Sequence, residues 1–527
     1  MDAMDIYKKA WFAPLLCGKF VDPIFGKRIT ISSRLVGRGR HKCGAVFGAA
    51  LLVAGAMACS VQAQTSAQSQ SESIWRASSR LGYGPSPSLV ADVSRIGGAR
   101  AWSLQQLDLA YNASRKPAAI PAQFTHFNQT LEQIFPVFEA ERKARKAGQE
   151  RLQKKEDGEP GAGKMEAPMF SRDAAREAAA WRVTACSSPA LENPLLARMT
   201  EFWFNHLNVF SGKGPVRPFV GHYELNVIRA NALGKFEDLL LASAKHPAML
   251  FYLDQAQSVA DGSTGPLGQA HGLNENYARE LMELHTLGVN GGYSQSDVRE
   301  LARILTGWTV APRQASGFRF AQQNHDTGDK RLLGTTFHNR GIKEGEDAIG
   351  LLARHPATAQ RIATRLATFF VSDKPSQALI DRLASSFTAS QGDMRVVMRT
   401  LIESTAFWQA DQTLFKTPFD FACSALLALG GPQERRDMAQ TLNFLNNAGQ
   451  PVQGWQTPDG YKTDAATWLS PEALTRRADF AMTLAKQAPE PEFLSPFLGS
   501  VTRQRIGQEP TRLRTGLMLA SPDFMRK

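Results

Sequence analysis

The chain has 527 residues, 43% hydrophobic and 21% charged, with a formal net charge of +12 at pH 7. Nine Lys or Arg and three Asp or Glu fall within residues 1–63, so half of the positive excess sits in that segment and +6 remains beyond it. A charge of +6 spread over about 460 residues excludes a strongly basic nucleic-acid binder and allows mild attraction to anionic polymer or membrane surfaces.

Residues 44–58, GAVFGAALLVAGAMA, form an apolar run. It follows Arg34, Arg38, Arg40 and Lys42 and precedes Val61-Gln62-Ala63, the form of a signal peptide cleaved after Ala63. The run is too short and too rich in alanine and glycine for a membrane span, so an exported protein, periplasmic or extracellular, is expected. A lipoprotein anchored at Cys59 is the minor alternative, weakened by Ala56 where such signals carry leucine. The first 33 residues fit neither signal nor domain and point either to a start nearer Leu35 or Val36 or to a long leader.

Residues 64–73, QTSAQSQSES, read as a polar tether. No composition shift divides 74–527, which predicts a single large helical domain. An insertion at 139–168 is expected to project into solvent: EAERKARKAGQERLQKK is helical with scarcely any apolar face, and the loop EDGEPGAGK follows. Gly158 to Lys164 imitates a phosphate-binding GxxxxGK, but Met165 replaces the required Ser or Thr and no strand precedes it. Beyond residue 63 only Cys186 and Cys423 remain, either as one disulfide in an oxidising compartment or as two buried thiols.

Helical periodicity then dominates, over 172–185, 195–210, 219–232, 236–243, 275–287, 297–305 and a succession from about 346 to 429. Two His-Pro-Ala segments, at His246 and His355, read as helix starts. Between 317 and 337, Phe318 and Phe320 alternate with polar residues, NHDTGDK follows, and Leu332-Leu333 resumes before Phe337. That pattern predicts one short β-hairpin in a mainly α, multi-helical fold.

The segment from Asn274 to Trp308 concentrates polar chemistry. With about 100° per residue, Tyr277, Leu281 and Leu284 share an apolar arc while Asn276, Glu280 and Glu283 line the adjoining polar arc. His285 falls beyond the leucines, in the last turn before Gly288. Gly288, Gly291 and Gly292 permit a reversal, and Ser294 with Asp297 approximates a capping box for the next helix. Glu280, Glu283 and His285 are therefore candidate catalytic groups. A structural account is equally physical: Arg279 pairs with Glu283, and a cationic His285 sits against the helix C-terminal dipole. His325 and Asp326 lie on the expected hairpin loop, and His206 ends an aromatic helix. Imidazole and carboxylate together suit a divalent transition metal such as zinc, manganese or iron, which makes His206, His325 and Asp326 candidate ligands.

Ordered segments along the chain carry a family resemblance. They are Arg80-Leu81-Gly82-Tyr83-Gly84-Pro85, Phe202-Trp203-Phe204-Asn205-His206, His246-Pro247-Ala248-Met249-Leu250, the 274–308 segment and His325-Asp326 with Lys330 and Leu333-Gly334. His355-Pro356-Ala357-Thr358-Ala359, Gly454-Trp455 and Ser521-Pro522-Asp523-Phe524 continue the series. The chain resembles the bacterial family designated domain of unknown function 1800. That resemblance implies a secreted helical protein, accompanied by exported proteins similar to sulfatases and alkaline phosphatases, and through them a link to sulfated or polymeric carbohydrate.

No GxSxG elbow, HExxH, paired CxxC or CxxCH occurs. The sequence therefore points to an exported enzyme, metal-assisted, acting on envelope or extracellular polymer. The alternative is a non-catalytic helical scaffold binding a sulfatase-like partner protein or a polysaccharide.

Overall fold

The computed structural model describes residues 69–156, 169–263, 272–409, 413–432, 435–486 and 488–527. The apolar run 44–58, Cys59, residues 64–68 of the expected tether and the loop 158–165 lie outside these residues. The described chain is mainly α-helical, and its strands form two short antiparallel hairpins. Among the described residues no helix is long and apolar enough to cross a membrane.

A helix over 69–80 opens the structure, so residues 69–73 of the expected tether are helical. The charged stretch belongs to the helix Leu131–Glu156, and residues 142–150 are mostly exposed. Glu141 is the exception: buried, it accepts from the Ser171 backbone N–H at 3.0 Å and ties the base of this helix to the next.

Helix starts follow capping chemistry. Asn193 Oδ1 accepts from the N–H groups of Leu195 and Leu196 at 3.0 and 3.1 Å, with Pro194 in the first turn of Pro194–His206. In both His-Pro-Ala segments the imidazole Nδ1 accepts from the alanine N–H, His246 from Ala248 at 3.1 Å and His355 from Ala357 at 3.2 Å. Ser294 and Asp297 form a full capping box on Gln295–Ile304.

Two segments expected to be α-helical are not so throughout. Val220–Tyr223 runs into a π-helical Glu224–Arg229, and Asn276–Glu280 into a π-helical Leu281–His285. A π turn admits an extra residue, so side chains after it leave the positions that α periodicity assigns.

The single expected hairpin is in fact two. Phe318–Phe320 (β2) pairs back to Trp308–Val310 (β1), with Trp308 opposite Phe320, whereas Lys330–Leu332 (β3) pairs with Thr335–Phe337 (β4). Gly307, at φ +81°, ends the preceding helix and turns Trp308 into β1. Leu333 and Gly334 both have positive φ, as a tight two-residue hairpin loop requires.

The largest apolar cluster runs from Ile74 to Phe407, and a second gathers Phe421, Phe444, Phe480 and Phe524. Cys186 and Cys423 are joined in a disulfide that closes 237 residues and links the helices Phe170–Ser187 and Pro418–Ala428. Beside it, buried Arg198 pairs with Asp420 and, at 2.7 Å, with Glu201, while Lys527 reaches the other oxygen of Asp420. Backbone bonds between Leu414 and Lys527, at 2.8 and 2.9 Å, hold that lysine in place.

Candidate functional site

The Asn274 to Trp308 motif is built around its π turn. Thr286 Oγ1 donates to the Leu281 carbonyl at 2.6 Å and the Gly288 N–H reaches the Met282 carbonyl at 3.1 Å, both spanning more than an α turn. Tyr277, Leu281, Met282 and His285 are all buried, while Leu284, expected on the apolar arc, is only half-buried. Gly288 lies at φ +87°, and a Cβ there would sit 3.1 Å from Arg361 Nη1. That guanidinium donates through Nε to the Leu284 carbonyl at 3.0 Å, fastening the end of the motif to the helix Pro356–Phe370.

His285 differs from its expected state. It is 1% exposed, and burial, with the nearby charges of Arg361 and Arg365, drives its pKa down to about 3. The ring is therefore neutral at physiological pH and not a cationic partner of the helix dipole. The expected Arg279–Glu283 pair is also absent: Arg279 turns to Glu275 at 3.1 Å and to Gln295 at 3.0 Å.

His206, also 1% exposed, places Nε2 2.9 Å from the His285 backbone carbonyl. A carbonyl only accepts, so Nε2 carries the proton and Nδ1 is a bare acceptor. Burial, then Arg365 and Arg361, hold His206 well below the usual histidine pKa. The two rings lie 6.4 Å apart, and neither His206 Nδ1 nor His285 Nε2 has a hydrogen-bond partner among the described residues.

The carboxylates form the second part. Burial raises the Glu280 carboxyl above its usual value; the charge of Glu283 adds, Arg279 opposes and Asp459 adds again. Glu280 makes no hydrogen bond or ion pair of its own among the described residues. Asp459 arrives from a loop more than 170 residues away in sequence, and its position is built. Asn208 Nδ2 donates to the carbonyls of Trp455 and Thr457 at 3.1 and 2.8 Å, and the Tyr252 hydroxyl donates to that of Gln456 at 2.7 Å. Asn205 exchanges bonds with Tyr461, donating to its carbonyl at 2.8 Å and accepting from its N–H at 2.5 Å. Gly460 is required there, since a Cβ would come 2.0 Å from the Asn205 carbonyl. At the loop's other end Gln453, held at φ +55°, donates to Glu224 at the head of the second π turn. The Asp459 carboxylate itself accepts from Thr457 Oγ1 at 2.5 Å and Trp455 Nε1 at 3.2 Å, with the Trp455 and Tyr461 rings 4.8 Å apart.

His325 and Asp326 do not join this centre. The sequence places them on an exposed loop, but His325 is 5% exposed and bonds through Nδ1 to the Thr306 carbonyl at 2.9 Å. Its Nε2 lies 3.4 Å from Glu344, which Lys330 engages at 2.7 Å. Asp326 receives Nε and Nη2 of Arg303 at 2.8 and 3.2 Å. These groups knit the loop between the hairpins to the helix Gln295–Ile304, and Lys330 and Glu344, both buried, are paired with each other. His325 and Asp326, candidate ligands together with His206, have their contacts with Thr306, Glu344 and Arg303 instead. Among the described residues no three His, Cys, Asp or Glu side chains are grouped to hold a metal ion.

The sequence reading missed Asp459, Tyr252, Asn208 and the pair Arg361 and Arg365. A signal existed for the arginines: they stand four apart on a helix whose other stripe, Ile362, Leu366 and Phe369, is apolar and buried. Nothing local in the sequence links Asp459 to Glu280.

Fold and site together define a mainly α-helical protein in which a loop carrying Asp459 is clamped beside a π-helical carboxylate and histidine motif. The chain belongs to the family described as protein of unknown function (DUF1800), whose model matches residues 76–526. No curated protein and no solved structure matches it.

Proposed function

We propose that the protein is an exported acid–base enzyme acting on a hydroxyl-rich polymer of the cell envelope or its surroundings. The reading rests on one observation above the others: Glu280, half-buried, protonation-prone and without an internal partner, sits within the field of Asp459, which a separate loop delivers. Two carboxyl groups in unlike settings are what proton transfer to a leaving oxygen and from an attacking water demands. Glu280 is assigned the acid and Asp459 the base, with Glu283 keeping the Glu280 proton in place by repulsion. Trp455 and Tyr461, half-buried with rings 4.8 Å apart, supply aromatic faces suited to sugars. Export is supported by the basic and apolar pattern before Ala63 and by the Cys186–Cys423 disulfide, a bond at home in oxidising compartments.

The test is release of new chain ends from envelope polysaccharides by the full mature chain, compared with Glu280→Gln and Asp459→Asn. Both variants should fold and lose about a hundredfold or more of the rate, and activity should decline as pH rises through the raised Glu280 range. Variants as active as the parent would sink the assignment.

A further inference from the structure

A cavity of about 330 Å³ opens directly beside Asp459, lined among others by Phe202, Asn205, Arg365, Phe369 and Lys462. Resting on the polymer reading above, we propose that this cavity is a subsite for an oxyanion carried by the polymer, a carboxylate or a sulfate group, with Arg365 as its ligand.

Arg365 projects from the helix Pro356–Phe370. Buried Arg198 and Arg229 have the carboxylate partners Asp420 and Glu192, and half-buried Arg303 has Asp326, whereas buried Arg477 has no ion pair among the described residues and lies over the Phe415 and Phe421 rings. Arg365 makes no hydrogen bond or ion pair among the described residues, although burial, followed by the charge of Arg361, lowers its pKa to about 10. A guanidinium offers five donors in a planar fork, and those of half-buried Arg365, on the wall of the cavity, are available to a ligand. Two carboxylates share the cavity: Asp459, which accepts from Thr457 and Trp455 and whose charge opposes the lowering of the Arg365 pKa, and Asp464, which accepts from the N–H of Thr467 at 3.0 Å; neither forms an ion pair with Arg365. Lys462, exposed and lining the same cavity, adds a second cation, while Phe202 and Phe369 provide apolar wall. The volume is at the small end for ligand pockets, which suits one substituted sugar ring and not a protein segment. Arg–carboxylate and Arg–sulfate recognition both use paired, parallel N–H bonds, so the fork selects the charge pattern and leaves the source of the oxyanion to the polymer.

Isothermal titration of the mature chain with dextran, polygalacturonate and dextran sulfate of matched length separates the outcomes. One of the two charged polymers should bind roughly tenfold or more tightly than dextran, the value of one well-formed charge-assisted contact. Arg365→Gln should bring that ratio near unity, Arg365→Lys should retain part of it, and the exposed control Arg340→Gln should retain it all. Which charged polymer wins distinguishes carboxylate from sulfate. A preference that survives Arg365→Gln, or that falls equally in Arg340→Gln, overturns the inference, as does loss of folding in both Arg365 variants, which would make the arginine structural. Equal binding of all three polymers defeats this inference alone, whereas binding of none defeats the polymer reading beneath it.

Discussion

Two polar centres of this protein draw on the same residue types and differ in how far their charges are paired. Around His325 the charges are matched, buried Lys330 with buried Glu344 and half-buried Arg303 with half-buried Asp326, while His325 Nε2, 3.4 Å from Glu344, makes no hydrogen bond among the described residues. Around His206 and His285, two imidazole nitrogens are orphaned, Glu280 is unbonded and Arg365 has no ion-pair partner among the described residues. A group that stabilises a fold is satisfied within it, and one kept for a ligand is satisfied only when the ligand comes. Residue type therefore says little about role here, and the completeness of pairing says much.

Substitutions can break this contrast from its strongest side first. Glu344→Gln should cost about 3–5 kcal/mol of stability, because it leaves Lys330 buried without its counter-charge. Urea unfolding that shows no loss would remove the structural assignment of the His325 centre. Reduction of Cys186–Cys423, or its replacement by two serines, should lower stability by about 2–5 kcal/mol by freeing a long loop in the unfolded chain. Thermal unfolding with and without reductant reads this directly.

Acid should act next, and through the other centre. His285 has a folded pKa near 3, below its ordinary value of 6.5, so the unfolded chain takes up the proton first. Stability from its neutral form is complete above pH 6.5 and is lost progressively as pH falls toward 3. His285→Gln should flatten that part of the stability–pH curve, and an unchanged curve would mean that His285 is not held neutral.

The smallest stability effect belongs to the proposed acid. Glu280→Gln should alter stability by less than about 0.5 kcal/mol near neutral pH, since no internal bond is lost. The sign has a pH dependence: with its pKa raised when folded, Glu280 contributes stability below its ordinary value of 4.5 and loses it as pH rises through the folded value. The glutamine variant should thus gain on the parent with rising pH. A large loss in chemical denaturation would instead place Glu280 among the structural groups.

Much of the architecture was legible in order along the chain. Asn193-Pro194, both His-Pro-Ala segments and Ser294 with Asp297 mark helix starts because capping is local chemistry between residues two or three apart. Phe318 and Phe320 signalled a strand, yet their partner was misjudged, since alternation identifies a strand without naming the one it joins. At the site, Glu280, Glu283, His285 and His206 were legible as polar residues near glycines and aromatics. The charge state of His285 and the fate of Arg279 were not, because the π turn and the burial beneath it override helical spacing.

The sequence by itself determined the mainly helical character, the helix boundaries set by caps and glycines, and the family, all carried by short-range patterns. Only the tertiary structure decided that His325 is a paired joint, that the two cysteines meet across 237 residues, and that Asp459 and Arg365 stand beside the π-helical motif. Those outcomes depend on which distant side chains share a low-dielectric interior, and burial there fixes both pairing and protonation.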